Sequence, residues 1–119
     1  MSLKLWHDDI RRPPSNDWNW ARTNAEAKEL LLRQPYDEIS MDHDLGLHKA
    51  DPDVPDADIQ VLPDGMIPEE GWELAKWMVE TGNVPPKITI HSWNPIGALR
   101  MKLIFTDAGY PAETKRFLR

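Results

Sequence analysis

The sequence contains no cysteine, so disulfides, thiolate–zinc sites and cysteine nucleophiles are all excluded. No apolar run approaches the ~20 residues that a membrane-spanning helix requires, and the first residues lack the pattern of a signal peptide. Walker-type glycine-rich loops and the G-x-S-x-G and H-E-x-x-H motifs are also missing. These absences lead us to expect a cytoplasmic protein without membrane association, and they exclude several common classes of hydrolase.

Positive charge is also scarce, because 14 basic residues stand against 20 acidic ones and the formal net charge is −6. Nucleic-acid backbones are bound mainly by lysine and arginine, so no extended duplex is expected as a partner. A small phosphate-containing substrate or an RNA end is compatible with this negative charge, since carboxylates can hold a divalent cation that contacts phosphate. The length of 119 residues fits one domain over residues 1–119, and the oligomeric state stays open.

Short apolar runs alternate with amphipathic segments along the chain, which predicts an α/β fold. Strands are predicted at residues 3–6, 18–22, 38–41, 87–90 and 114–118, and helices at 24–34, 68–82 and 95–109. This order is typical of a three-layer fold with a mainly parallel sheet. Residues 7–17 are short for a parallel crossover, so the helix expected there is reduced or missing. Residues 47–68 are predicted to form an inserted loop or arm, with a small hairpin at 59–62.

Three clusters of acidic and histidine residues follow predicted strands: His7-Asp8-Asp9, Asp42-His43-Asp44 and His91-Ser92-Trp93-Asn94. The carboxyl ends of parallel strands lie at one edge of a sheet, and ligands bind in the crevice outside that edge. No cluster alone justifies a functional assignment, but the repetition does. We therefore expect the three clusters to converge on one pocket.

Asp8, Asp9 and Asp42 are the predicted metal ligands. Paired carboxylates offer the hard oxygen donors that divalent cations prefer, and we expect magnesium or manganese. At the second strand end, Asp42 and Asp44 would share one face and repel the first pair unless a cation or a shared proton relieves the repulsion. The alternative is that these aspartates form local turns on a solvated surface.

His91 is the first candidate for general acid–base catalysis. A histidine at the end of an apolar strand requires either a hydrogen-bonding partner or a functional role, and its ordinary pKa lies near neutral pH. His43 and Asp44, from the second cluster, are the further catalytic candidates.

Arg11, Ser92, Asn94 and Gly97 are the predicted substrate-binding residues. Asn94 precedes a helix whose first N–H groups and dipole form an anion site suited to phosphate, and Gly97 leaves room for close approach. Arg11 offers a planar fork of donors. An ordinary N-cap is the simpler account of Asn94, and a surface ion pair accounts for Arg11 equally well. The same helix is predicted to bury an apolar face of Ile96, Leu99, Leu103 and Ile104.

Three segments carry a family likeness: residues 5–13 read Leu-Trp-His-Asp-Asp-Ile-Arg-x-Pro, residues 39–46 Ile-Ser-Met-Asp-His-Asp-Leu-Gly and residues 90–97 Ile-His-Ser-x-Asn-Pro-x-Gly. Together they resemble the cyclic-phosphate-processing receiver-like domains, which are relatives of the receiver domains of two-component response regulators. The resemblance implies a receiver-like (flavodoxin-like) fold with an acidic pocket.

The receiver pattern also implies roles for individual residues. Asp8 and Asp9 match its metal-binding acidic pair, Asp42 its phosphoacceptor, and Ser92 its hydroxyl residue after the fourth strand. Receivers carry a lysine at the end of the fifth strand, whereas the strand predicted at 114–118 puts Lys115 at its start.

The resemblance implies a metal-dependent phosphohydrolase or phosphodiesterase that processes a cyclic phosphate, with 2′,3′-cyclic phosphate ends in RNA repair or phage–host conflict as candidate substrates. The alternative is a non-catalytic receiver-like module that binds a phosphorylated ligand or protein partner, so enzymatic activity stays open. A third reading is an aspartyl-phosphate receiver, which the position predicted for Lys115 disfavours. In the enzyme hypothesis, the arm at 47–68 closes as a lid over the pocket.

Overall fold

The computed structural model describes residues 3–9, 11–49, 66–92 and 94–115, with the backbone alone for 44–49 and 66–69. Its strands are β1 Lys4–His7, β2 Trp18–Ala21, β3 Glu38–Met41, β4 Asp44–Lys49, β5 Met66–Glu70, β6 Lys87–His91 and β7 Glu113–Lys115. Its helices are α1 Asn24–Arg33, α2 Gly71–Thr81 and α3 Pro95–Asp107. Within these described ranges, no helix is long and apolar enough to cross a membrane.

Five parallel strands form the main sheet in the order β2-β1-β3-β6-β7. Without the separate β4–β5 pair, this is the 2-1-3-4-5 order of flavodoxin-like folds, which confirms the predicted fold class. Neighbouring strands on either side of β1 are β2 and β3, so the chain direction across the sheet reverses there. The crevice beyond the carboxyl ends of β1 and β3 is therefore the position where such folds bind ligands.

The two faces of the sheet have different partners. Leu5, Ile39 and Ile90 belong to the apolar core, which also contains buried side chains of all three helices. Because side chains alternate along a strand, Trp6 and Ser40 lie on the opposite face, where both are buried outside that core. α2 packs against both α1 and α3, so the described helices lie side by side. The polar site described below lies largely on the other face.

The connection between β1 and β2 contains no helix in its described residues, as the sequence predicts. Two tryptophan side chains hold this connection instead. Trp6 Nε1 donates to the Arg11 carbonyl over 2.8 Å, and Trp20 Nε1 donates to the Asp8 carbonyl over 2.7 Å. These hydrogen bonds satisfy loop carbonyls that a crossover helix would have paired internally.

The predicted arm is more regular at its two ends than expected. β4 runs to Lys49 and pairs in antiparallel fashion with β5, which begins at Met66. The helix predicted from Pro68 starts instead at Gly71, because residues 66–70 belong to this strand pair. The predicted hairpin at 59–62 lies outside the described residues, as does most of the proposed lid.

The apolar face predicted for α3 is correct only at Ile104, which is partly buried against the core, and is wrong at its other three residues. Ile96, Leu99 and Leu103 are 81%, 54% and 48% exposed. The buried residues of this helix are Gly97, Ala98, Met101 and Phe105. Small residues in the first turn let the helix approach the sheet closely, so Met101 and Phe105 fill the core while the larger aliphatic residues face outward.

Candidate metal and phosphate site

Three aspartates meet at the carboxyl edge of the sheet. One carboxylate oxygen from each of Asp8, Asp9 and Asp42 lies within 4.8 Å of the others. The parallel ladder continues one residue beyond the strands, because Asp8 N donates to the Ala21 carbonyl and Asp42 N to the His7 carbonyl. These bonds place the first and second sequence clusters side by side, as predicted.

The electrostatics of this acidic group fit a divalent cation. The pKa of Asp42 is raised from its ordinary value of 3.8 to about 7, first by burial and then by the charge of Asp8. Opposing effects, from the His43 N–H that donates to Asp42 and from Arg11, are smaller. Three close carboxylates thus retain a proton that a bound cation would displace. The all-oxygen donor set is of the kind that hard divalent cations prefer.

Asp8 is the most constrained of the three aspartates. It is fully buried, and its Oδ1 accepts a 2.8 Å hydrogen bond from the Arg11 backbone N–H. Its Oδ2 lies 3.0 Å from His91 Nε2 and 3.7 Å from a guanidinium nitrogen of Arg11. The half-buried Arg11 therefore lies at the acidic group, where the sequence predicted a phosphate contact.

His91 brings the third cluster to the first. Its ring is fully buried and stacked on Trp6, with ring centroids 4.0 Å apart and planes 5° from parallel. An ionised Asp8 can only accept, so His91 Nε2 carries the proton and Nδ1 accepts from the Ser40 hydroxyl over 2.6 Å. Burial lowers the pKa of His91, and the hydrogen bond with Asp8 opposes that shift. The resting ring is therefore neutral and engaged at both nitrogens.

His43 occupies a separate part of the site. Its ring lies against Gly97 at the start of α3, where an added Cβ would come within 2.6–2.7 Å of three ring atoms. His43 Nε2 is 3.7 Å from Glu70 Oε2, and that oxygen also accepts from Trp72 Nε1 over 2.5 Å. A carboxylate fixed in this way can orient the imidazole ring.

The start of α3 is an ordinary capped helix end with polar neighbours. Asn94 Oδ1 accepts from the Gly97 N–H over 2.9 Å, which is the cap that the simpler account of Asn94 predicts. The buried Ser92 Oγ accepts from the Asn94 N–H over 3.1 Å. These residues lie beside His43, so all three clusters share one region. The Asp44 backbone begins β4, and its side chain lies outside the described part of the structure.

Lys115 corrects an expectation from the sequence. It is the last described residue of β7 and pairs in register with His91, so it lies at the carboxyl edge and not at the start of its strand. Its charge contributes to the lowered pKa of His91. The predicted strand began one residue too late, and the parallel register with β6 places this lysine beside the carboxyl end of that strand.

Asn24 is a structural residue that sequence reasoning missed. It is buried at the first position of α1, where its Oδ1 accepts from His7 Nε2 over 2.8 Å. Its Nδ2 donates to the Glu70 carbonyl over 3.0 Å and thereby connects β1 to the junction of β5 and α2. Sequence alone offers only a polar residue after a capping threonine, which gives no sign of a partner 46 positions away.

The metal-free protein should show a pH dependence of stability in which two buried groups oppose each other. Protonation of Asp42 stabilises the fold fully below its ordinary pKa of 3.8, and this contribution is lost as pH rises through about 7. Burial lowers the pKa of His7 from 6.5 to about 4, so its contribution is present above pH 6.5 and is lost as pH falls through about 4.

Asp42→Asn removes the stability contribution of Asp42 protonation and leaves that of His7. Relative to the parent, the variant should lose about 1.4 kcal/mol of unfolding free energy per pH unit as pH falls from 6.5 to 4. Above pH 7 it should be the more stable protein. Urea unfolding in the presence of a chelator at pH 4.5, 5.5, 6.5 and 8 measures the unfolding free energies of the two proteins. The same pH dependence of unfolding free energy in both proteins would contradict the prediction.

Comparison with known families agrees with this geometry. A family model described as the Cyclic-phosphate processing Receiver domain matches residues 3–107. The chain belongs to this family. The matched region runs from the start of β1 to the end of α3 and includes the acidic group, His43, His91 and the cap of α3. No curated protein and no solved structure matches the chain. The family name associates this chain with cyclic-phosphate processing by a receiver domain.

Proposed function

We propose that this chain is a metal-dependent phosphodiesterase that opens a cyclic phosphate, with the 2′,3′-cyclic phosphate of a ribonucleotide or RNA end as its substrate. The observation that carries the proposal is the convergence of Asp8, Asp9 and Asp42 within 4.8 Å, beside two histidines, at the crevice where this fold binds ligands. Membership of the cyclic-phosphate-processing family supports the choice of substrate.

The three aspartates would hold the cation, which when bound supplies charge stabilisation at a phosphoryl oxygen and a polarised water. Arg11 would bind a phosphate oxygen through its guanidinium fork, and the positive end of the α3 dipole would favour the phosphate, although the Gly97 and Ala98 N–H groups are already paired with Asn94. Ser92 would keep Asn94 and Gly97 in place through its hydrogen bond to the Asn94 N–H.

The hydrolysis needs one proton removed from water and one delivered to the leaving oxygen. A new P–O bond forms to the water oxygen, one ring P–O bond breaks, and the released sugar oxygen takes up a proton. We assign that delivery to His43, whose ring Glu70 would orient from 3.7 Å. His91 would hold Asp8 in place and would accept the water's proton at Nε2 once the proton on that nitrogen has passed to Asp8. A catalytic role for Asp44 stays a prediction.

Turnover and its metal dependence test the proposal directly. With magnesium or manganese, the protein should convert 2′,3′-cyclic AMP to a monophosphate, and excess EDTA should abolish the reaction. His43→Ala and His91→Ala should each lower kcat by roughly 10²–10⁴-fold, the usual contribution of a general acid or base. Absence of turnover with every metal, or turnover in both variants equal to that of the parent protein, would exclude the phosphodiesterase.

A non-catalytic binding module is the second candidate, and the environment of His91 favours it. Both ring nitrogens already have partners, and the ring is fully buried, so substrate cannot reach it without rearrangement. For such a module, 2′,3′-cyclic AMP with magnesium should raise the melting temperature without forming product. Labelling of Asp42 by acetyl phosphate would instead indicate a phosphoacceptor receiver, consistent with the position of Lys115.

A further inference from the structure

The backbone of the acidic residues also supports an aromatic–arginine pair. Trp20 Nε1 donates to the Asp8 carbonyl over 2.7 Å. The Arg22 guanidinium donates to the Asp9 carbonyl from Nη2 over 3.0 Å and from Nε over 3.3 Å. Its central carbon lies 5.0 Å from the centroid of the Trp20 ring. Both side chains are therefore fixed to the same two peptide units that carry candidate metal ligands.

This pair lies at an edge of the sheet. Trp20 is half-buried on the edge strand β2, and Arg22 is exposed just beyond that strand. A guanidinium that lies over an indole ring and donates two hydrogen bonds has already lost much of its rotational freedom. Ordering it on binding therefore costs little. A simple brace for the Asp9 carbonyl would not require an exposed planar cation over an aromatic ring.

Planar cations of this kind stack on nucleobases. RNA-binding proteins place unstacked bases on aromatic rings or on arginine guanidinium planes, and each base contributes about 1–3 kcal/mol. The base of a 2′,3′-cyclic nucleotide lies on the same ribose as its phosphate. With the phosphate at the acidic group, the base is close enough to contact a side chain bonded to the Asp9 backbone.

We propose that Arg22, supported by Trp20, forms a nucleobase subsite that selects cyclic nucleotides over cyclic phosphates without a base. This inference rests on the proposed function for the position of the phosphate and names the substrate class that the same site recognises. Arg22 would act in binding and not in proton transfer. Its effect should therefore depend on the presence of a base.

Two probes and three variants test the subsite. The probes are 2′,3′-cyclic AMP and glycerol 1,2-cyclic phosphate, which has the reacting ring but no base. Arg22→Lys keeps the charge and loses the planar fork, whereas Arg22→Ala loses both. Arg33→Lys is the matched control, because Arg33 is an exposed arginine in the last turn of α1 that pairs with Glu29.

We expect Arg22→Lys and Arg22→Ala each to lower kcat/KM for 2′,3′-cyclic AMP by about tenfold, as loss of one stacked base predicts. The value for glycerol 1,2-cyclic phosphate should change by less than about twofold, which corresponds to well under 1 kcal/mol. The control should leave both values unchanged. An equal fall for both probes would show that Arg22 only braces the loop, and an unchanged value for the nucleotide would exclude the subsite.

Binding measurements separate failure of the subsite from failure of the proposed function. If the parent protein turns over neither probe, the phosphodiesterase is excluded, and equilibrium dialysis with magnesium then decides the subsite alone. Weaker binding of 2′,3′-cyclic AMP to Arg22→Lys than to the parent, with glycerol 1,2-cyclic phosphate unaffected, supports it. Equal nucleotide affinity in the two proteins, or no nucleotide binding to the parent, overturns it.

Discussion

Asp8→Asn is expected to abolish metal-dependent turnover, with a fall in kcat/KM on the order of a thousandfold. Loss of a ligand removes several kcal/mol of charge stabilisation at the transferring phosphoryl group, and each 1.36 kcal/mol corresponds to a factor of ten. Asp8 is the aspartate for which the loss should be greatest. It is fully buried and already held by the Arg11 backbone and by His91.

The variant should nevertheless fold, because the surrounding hydrogen bonds can adapt. An asparagine oxygen can still accept from the Arg11 N–H. Its amide nitrogen would face His91 Nε2, which becomes an acceptor when the ring proton moves to Nδ1 and donates to Ser40. Removal of one negative charge should also lower the pKa of Asp42, since Asp8 is its second-largest cause of elevation.

Isothermal titration with manganese, turnover of 2′,3′-cyclic AMP and thermal unfolding test this prediction together. The expected combination is lost metal affinity, lost turnover and a melting temperature close to that of the parent protein. Asp17→Asn is a suitable control, because Asp17 is an exposed aspartate paired with Lys4. Retained metal affinity in Asp8→Asn would remove Asp8 from the ligand set.

Gly71→Ala should destabilise the fold by about 3 kcal/mol, which is the upper range for overpacking of a closed site. A Cβ added at Gly71 would lie 1.9 Å from the Asp42 carbonyl oxygen and 3.0 Å from Met101 Cε. The first contact is with backbone, so no side-chain rotation can relieve it. The Gly71 N–H also donates to the His43 carbonyl over 2.6 Å.

Helix propensity predicts the opposite sign for this substitution, which makes the test decisive. In an open helix, alanine is more stable than glycine by roughly 0.5–1 kcal/mol. Gly82→Ala is the matched control: Gly82 has a φ of 76° and no neighbour near an added Cβ, so its cost of about 1–2 kcal/mol reflects backbone strain alone. Urea unfolding measures the stability of both variants. A Gly71→Ala protein as stable as the parent would contradict the close contact with the Asp42 carbonyl.

The sequence was sufficient to predict the parallel α/β fold and the acidic centre of the site. Apolar runs that end in aspartates indicate strand ends, and the carboxyl ends of parallel strands must share an edge. Asp8, Asp9 and Asp42 could therefore be placed together without coordinates, and the structure brings them within 4.8 Å. The short connection before β2 likewise predicted the missing helix.

Other parts of the site depend on register and packing between distant segments. Ser40 looks like an ordinary residue of a buried strand, and only the tertiary structure places it against His91, 51 positions away. Trp6 could be assigned to the core from composition alone, but strand alternation and pairing put it under the His91 ring. The contact of Asn24 with the Glu70 carbonyl likewise depends on the packing of distant segments.

The sequence by itself determined which residue types stand at the strand ends, and therefore the acidic and histidine chemistry of the edge. The tertiary structure decided which face each residue occupies, as the exposed Ile96 and Leu99 and the edge position of Lys115 demonstrate. The physical reason is that a one-residue change in strand register, or a modest rotation of a helix, exchanges buried and exposed positions. Such shifts hardly change local propensity, so only long-range packing determines them.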